Sequence, residues 1–149
     1  MRNLFFFIIL ILIFSCNNED DGISQKKTNT ISVEINGINK TFSNVVVETI
    51  NNPNKSTKVN VSAENSNPKE SIFISFYVTE NSAELFMLNY LNLYEYTLFD
   101  PISYINSNIS LNTQNNLVGT FSGTLSGNIP EGVSPKSVQL TNGKFNIQY

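Results

Sequence analysis

Three carboxylates in the middle of the chain are the side chains best suited to chemistry. Glu80, Glu84 and Glu95 lie in one aromatic-rich segment. Paired carboxylates hydrolyse glycosides when they are about 5–10 Å apart. The alternative is that all three are solvent-facing acids beside loops. The sequence does not fix their separation, so a Glu-dependent hydrolase of glycans remains the alternative to a non-catalytic protein.

The rest of the inventory is poor in catalytic groups. The chain contains no His, which removes the commonest general base and metal ligand. Its one Cys is Cys16, and the only Asp after residue 21 is Asp100, which precedes a proline in an expected turn. No Gly-rich phosphate loop follows a strand into a helix. We therefore expect no catalytic residue, no metal site and no cofactor.

Tyrosine is the residue type that most favours a binding function. The aromatic residues that crowd the centre of the chain are Tyr77, Tyr90, Tyr94, Tyr96, Phe99 and Tyr104. Tyr suits carbohydrate and protein interfaces because its flat apolar ring ends in a polar hydroxyl. Core packing with hydroxyls at the surface is the other interpretation. We select Tyr90, Tyr94 and Tyr104 as candidate binding residues.

Charge excludes two classes of partner. The full chain has 9 basic and 12 acidic residues and a formal net charge of −3. No basic stripe is present, so we expect no nucleic-acid partner. No polybasic patch is present that would attract anionic lipid.

The N-terminal segment indicates export. Arg2 is the only charged residue before Cys16, and Leu4–Phe14 is an uninterrupted apolar block. That block fits the apolar region of a secretory signal and is shorter than the roughly 20 residues of a membrane-spanning helix. The alternatives are a membrane-anchored signal helix with an incidental buried Cys and an uncleaved single span.

Residues 13–16, Ile-Phe-Ser-Cys, resemble the lipobox of bacterial lipoproteins. The departure is Phe14, which is bulkier than the usual residue at that position. The resemblance implies that Cys16 is acylated and that residues 1–15 are a signal peptide cleaved just before it. The mature chain would then have a net charge of −4, because Arg2 is the only charge removed. Two acyl chains anchor a protein stably, so the membrane is an expected partner through Cys16.

A polar tether follows the cysteine. Residues 16–29 include the acidic run Glu19, Asp20 and Asp21 and have the composition of a disordered segment. An acidic cluster after the lipidated Cys resembles the surface-export signal of Bacteroidota-type lipoproteins. That resemblance implies an outer-membrane lipoprotein at the cell surface. The periplasmic face of the membrane is the alternative, with the acids serving solubility alone.

Alternating apolar residues predict an all-β domain over residues 30–149. The clearest alternating segments are Ile31–Ile35, Val59–Ala63, Ile72–Val78, Leu117–Leu125 and Phe145–Tyr149. Turn dipeptides such as Asn36-Gly37 separate them at intervals typical of sandwiches and barrels. We expect an antiparallel β-sandwich or barrel of about 8 strands. Phe73 and Tyr77 lie on the second face of one strand, which favours a position inside the sheet for it.

One segment is ambiguous between helix and strand. Asn81 and Glu84 have the spacing of a helix capping box, which favours a short helix near residues 82–90. The dense run of apolar and aromatic residues from Leu85 onward favours two strands, the second at about Tyr94–Phe99. Two strands are our preferred interpretation.

The C-terminal third predicts a β-bulge. Val138 and Leu140 occupy even positions, whereas Phe145 and Ile147 occupy odd ones. Because side chains alternate with a period of two, one inserted residue at Asn142-Gly143 is needed to keep them on one face. Two alternate glycines in the preceding strand predict that a large neighbour, such as an aromatic ring, approaches closely there.

Two C-terminal segments carry a family resemblance. Residues 119–123 (GTFSG) and 140–149 (LTNGKFNIQY) resemble the ending of small Bacteroidota-type lipoproteins that have no assigned activity. This resemblance implies the fold and the location and little about function. Together with the poor catalytic inventory, it leads us to expect a non-catalytic binding or interaction module of the envelope. Its expected partner is an envelope protein or a glycan.

Overall fold

The computed structural model describes residues 29–53, 56–66, 68–80, 82–98, 101–112, 115–127, 129–132 and 136–149. No helix is present in these ranges, so the all-β prediction is confirmed. The ten strands are β1 (Thr30–Ile35), β2 (Ile38–Phe42), β3 (Asn44–Asn51), β4 (Thr57–Ser66), β5 (Lys69–Val78), β6 (Ala83–Leu91), β7 (Glu95–Thr97), β8 (Tyr104–Asn112), β9 (Asn116–Gly127) and β10 (Ser137–Gln148).

The strands form one antiparallel sheet whose two edges are consecutive in the chain. Its order is β2-β1-β10-β9-β7-β6-β5-β4-β3, and β8 pairs with β9 beside β7. Only Ser43 separates the edge strands β2 and β3. Strands β7 and β8 run in the same direction along one edge of β9. The ten strands, two more than the sequence predicts, therefore occupy nine rows of one open sheet, which is consistent with the predicted sandwich or barrel.

Alternating strand directions give this arrangement two rims. Every ladder is antiparallel. The lower rim contains Thr30, where the first strand begins, and Tyr149, whose backbone N–H donates to the carbonyl of Asn115 at 2.9 Å. The upper rim contains Asn36-Gly37, Pro68 and residues 92–94. Residues before Thr30 therefore join the sheet at the lower rim.

Residues 83–91 form strand β6, so the alternative prediction of a short helix near residues 82–90 is wrong. Ala83–Leu91 pairs with β5, with a register shift where Ser75 and Phe76 face Met87 and Leu85. The extra residue is Phe86, which makes Leu85 and Leu88 both point inward at a spacing of three. A spacing of three between apolar residues is typical of a helix, but here the β-bulge at Phe86 produces it. Strand β7 is shorter than the predicted strand, and Asn81 and Phe99 lie outside the described residues.

The predicted turn and the predicted bulge are both confirmed. Asn36 and Gly37 have φ angles of 49° and 81°, as a tight two-residue hairpin turn requires. In β10, Leu140 pairs with Gly123 but Gly143 pairs with Phe121, and Asn142 has a φ of 54°. The bulge keeps the two halves of β10 on one buried face.

Apolar side chains from both halves of the sheet fill the interior. The rings of Phe76 in β5 and Phe145 in β10 are 5.0 Å apart, although these strands are not neighbours in the sheet. Phe145 also covers Gly119, where a Cβ would lie 2.6 Å from the ring carbon Cζ. The predicted close approach of an aromatic ring is therefore present at Gly119, whereas Gly123 lies against the backbone of β8.

Candidate functional site

A buried carboxylate lies at the upper rim. Glu70 shares the inward face of β5 with Ile72 and Ile74 and is 6% exposed. Lys40 of β2 donates from Nζ to its Oε1 at 3.0 Å, and the hydroxyl of Tyr90 in β6 donates to the same atom at 2.9 Å. One carboxylate oxygen thus joins three strands, of which β2 and β5 are not hydrogen-bonded neighbours.

The second oxygen of this carboxylate has no donor. Oε2 of Glu70 is buried and accepts no hydrogen bond from the described protein groups. A buried acceptor without a partner costs about 1–3 kcal/mol, and more when it is charged. Burial of Tyr90, together with its hydrogen bond to Glu70 and the carboxylate charge, raises the pKa of its phenol well above 10.0.

A groove on the upper rim includes this carboxylate in its lining. Its volume is about 630 Å³, within the range typical of small-molecule sites. The residues that line it are Pro68, Lys69, Glu70, Ser71, Leu91, Asn92 and Leu93. Leu91 at the end of β6 is 46% exposed and Leu93 in the following turn is 90% exposed, so both present aliphatic side chains to solvent.

A second candidate surface lies on the outer face of β5 and β6, and we call it the wall patch. It consists of Phe73, Tyr77, Phe86 and Met87, whose side chains point away from the interior. The rings of Tyr77 and Phe86 stack with centroids 4.0 Å apart, and Tyr77 is 43% exposed. The bulge in β6 supplies this stack, because the extra residue is Phe86.

Polar groups surround the wall patch. The Nζ atom of Lys58 lies 5.3 Å from the centroid of the Phe86 ring. Ser75 is fully buried between Phe73 and Tyr77, and its hydroxyl donates to Oδ1 of Asn60 at 2.8 Å. The exposed acids on the same outer face are Glu48, Glu64, Glu84 and Glu95. The described bases on this face of β4 and β5 are Lys58 and Lys69, so the four acids outnumber them around the aromatic patch.

The tyrosines selected from the sequence occupy three different environments. Tyr90 is 2% exposed and its ring lies 6.0 Å from that of buried Tyr96, so it belongs to the core. Tyr94 is half-buried and packs against the core. Tyr104 is 54% exposed at the start of β8, a strand that the sequence pattern did not predict. The structure does not gather the three into one surface.

The three candidate carboxylates do not share a cleft. Glu80, Glu84 and Glu95 are all exposed, and Glu80 borders a groove whose lining includes neither of the other two. Glu84 lies near the start of β6, whereas Glu95 pairs with Leu91 at its end. Seven residues of strand separate these two positions, or roughly 23 Å, beyond the reach of a catalytic carboxylate pair.

Several predicted features lie outside the described residues. These are the signal peptide, Cys16, the export residues Glu19, Asp20 and Asp21, and Asp100. Within the described ranges, no three His, Cys, Asp or Glu side chains lie close enough together to hold a metal ion. The same ranges contain no helix of the length and apolar character that crossing a bilayer requires.

Sequence reasoning missed Glu70, although the chain carries a signal for it. Glu70 has the same parity as the inward residues Ile72, Ile74 and Phe76, which indicates an acid on a buried face. Its partner Lys40 gives no such signal, because its contact joins two strands that are distant in the sheet.

Comparison with protein-family models, curated proteins and solved structures finds no match.

Proposed function

We propose that this protein is a lipid-anchored, non-catalytic binding module of the bacterial envelope. The observation that carries the binding role is the stacked, outward-facing pair of Tyr77 and Phe86. The interior is filled by other side chains, so the fold does not need two aromatic rings on the outer face of β5 and β6. Exposed aromatic groups of this kind are typical of interaction surfaces.

The acids around the wall patch favour a basic protein partner. Glu48 and Glu84 lie on the same outer face as Tyr77, and the described bases on that face of β4 and β5 are Lys58 and Lys69. Carboxylates would repel anionic glycans and attract Lys or Arg side chains. An Arg side chain also stacks well on an exposed Tyr ring. We therefore assign the wall patch to an envelope protein that presents basic residues.

The lipobox-like sequence that ends at Cys16 is the basis for the proposed lipid anchor, and the anchor is compatible with a partner at the wall patch. Acylation at Cys16 would place the tether between the membrane and Thr30, at the lower rim. The wall patch lies on the side of the sheet and remains open to a partner in the same compartment. The expected location is the outer membrane, at the cell surface, with the periplasmic face as the alternative.

Capture from envelope extracts tests the binding role. The bait is the wild-type chain, and the variants are Tyr77→Ala and Phe86→Ala, with Tyr104→Ala as the second exposed tyrosine. We expect one captured protein that is lost from both wall-patch variants, is retained by Tyr104→Ala and is released by salt. Loss with Tyr104→Ala alone would move the site to β8. If all three variants still capture the protein, the wall patch is not the binding surface.

Fatty-acid labelling tests the anchor separately. Cells that produce the wild type or Cys16→Ala are grown with a radioactive fatty acid. We expect label only in the wild type, because the thiol of Cys16 is the acylated group in the resemblance. Equal label in both proteins would contradict acylation at Cys16. It would not bear on binding at the wall patch.

A further inference from the structure

The upper-rim groove contains a site that is independent of the wall patch. Lys40 and Tyr90 both donate to Oε1 of Glu70, so the position of that oxygen is fixed. Oε2 is left as an acceptor without a donor from the described protein groups, on a side chain more than nine-tenths buried. The aliphatic side chains of Leu91 and Leu93 also line this groove.

We propose that this groove binds a small neutral molecule with an aliphatic body and a hydroxyl group that donates to Oε2 of Glu70. The aliphatic part would cover Leu91 and Leu93. Because solvent does not reach Oε2 in this structure, the ligand must displace side chains that line the groove, and the exposed Leu91 and Leu93 can rotate to admit it. The hydroxyl group would supply the missing donor. This ligand class differs from the basic protein partner assigned to the wall patch.

Charge selects a neutral ligand over an ionic one. Glu70 is already paired with Lys40, and Lys69 also lines the groove. A cationic ligand would approach two lysines to reach one neutralised carboxylate. An anionic ligand would meet the lone pairs of Oε2 directly. A hydroxyl donor avoids both repulsions and satisfies the buried oxygen.

Two isomeric probes test for the hydroxyl donor. Pentan-1-ol and its ether isomer 1-methoxybutane have the same atoms, but only the alcohol can donate a hydrogen bond. The protein is the mature chain from residue 16 with Cys16→Ala, which retains the tether and every described residue. Binding is followed by the NMR shifts of the Leu91 and Leu93 methyl groups. We expect the ether to bind about tenfold more weakly, the loss expected for one hydrogen bond to a charged acceptor.

Glu70→Gln should abolish the preference for the alcohol, because both an alcohol oxygen and an ether oxygen accept from an N–H group. Because Lys40 and Tyr90 both donate toward one oxygen, the amide oxygen of Gln takes the position of Oε1. The amide N–H group then takes the position of Oε2 and offers a donor where the wild type offers an acceptor. The ether should bind this variant at least as well as the alcohol does. If the variant does not fold, the comparison of the two probes on the wild type decides.

Leu93→Asp removes the aliphatic wall of the groove without touching the core. We expect it to lose pentan-1-ol, while Val118→Asp, an exposed aliphatic position near the lower rim, keeps it. Equal affinity of the alcohol and the ether for the wild type would overturn the proposal. Tighter binding of pentylammonium, or shifts that are absent from Leu91 and Leu93, would overturn it as well.

Discussion

The hydroxyl of Tyr90 lies 2.9 Å from Oε1 of Glu70, and the bond joins β6 to the beginning of β5 at the upper rim. Lys40 donates to the same oxygen from β2, which is an edge strand of the sheet. Between β2 and β5 no backbone ladder exists. The three side chains therefore hold an edge strand against the other half of the sheet where backbone hydrogen bonds do not.

Tyr90→Phe should destabilise the fold by about 2 kcal/mol, because the ring stays in the core while a hydrogen bond to a buried carboxylate is lost. Urea unfolding of the wild type and the variant measures the difference in free energy of unfolding. Tyr104→Phe is the matched control, since it removes an exposed hydroxyl and should change the stability by less than about 0.5 kcal/mol. Equal stability of wild type and Tyr90→Phe would show that the bond contributes nothing.

The free energy of unfolding should fall at alkaline pH, because the hydroxyl of Tyr90 ionises more readily in the unfolded chain than in the folded protein. Burial, the hydrogen bond to Glu70 and the carboxylate charge raise the pKa of Tyr90 above the value of 10.0 that it has in the unfolded chain. Its contribution is therefore complete below pH 10 and is lost as the pH rises toward the folded pKa. The slope for one such group is about 1.4 kcal/mol per pH unit.

Tyr90→Phe isolates this contribution, because every other titrating group stays in place. The stability difference between wild type and variant should shrink as the pH rises above 10. Urea unfolding at a series of pH values from 8 to about 11.5 tests this. A difference that stays constant across the series would contradict the raised pKa.

The sequence predicted the strands best where polar and apolar residues alternate without interruption. The turn at Asn36-Gly37 and the bulge at Asn142 followed from residue chemistry and side-chain parity alone. Strand β8 was missed because Ile105 and Ile109 are four residues apart with polar residues between them. The bulge at Phe86 disguised β6, because it changed the spacing of the inward leucines.

The candidate sites were harder to predict than the strands. Tyr77 was visible as an aromatic residue on the second face of β5, but its stack with Phe86 depends on a bulge that the sequence does not signal. The environment of Glu70 depends on Lys40 and Tyr90, thirty and twenty residues away in the chain. Periodicity identifies the face of each residue and does not identify which faces meet.

Asn142→Val should destabilise the domain, whereas Asn142→Gly should not. Asn142 has a φ of 54°, a left-handed conformation that Asn and Gly adopt readily and β-branched residues do not. We expect Val to cost about 1–2 kcal/mol and Gly to change the stability by less than about 0.5 kcal/mol. Because both variants lose the contact of the Asn142 amide with Glu34, their difference in urea unfolding reports the backbone alone. Equal losses in the two variants would assign the effect to that contact.

Replacing Glu19, Asp20 and Asp21 by Ala should retain the protein inside the outer membrane. The resemblance to exported lipoproteins is the basis for this expectation, because there an acidic cluster close to the lipidated cysteine marks a protein for the surface. The changes lie before residue 29, so they leave every described residue unaltered. A loss of surface exposure would then report sorting and not unfolding.

Protease treatment of intact cells measures that exposure. The wild type should be degraded and the triple variant protected, while both are degraded once the outer membrane is opened. Lys26→Ala with Lys27→Ala is the matched control, since it removes two charges from the same tether and leaves the acids in place. Degradation of the triple variant on intact cells would contradict the export role and leave the acids as solubilising residues. Protection of the wild type as well would place the anchored protein on the periplasmic face.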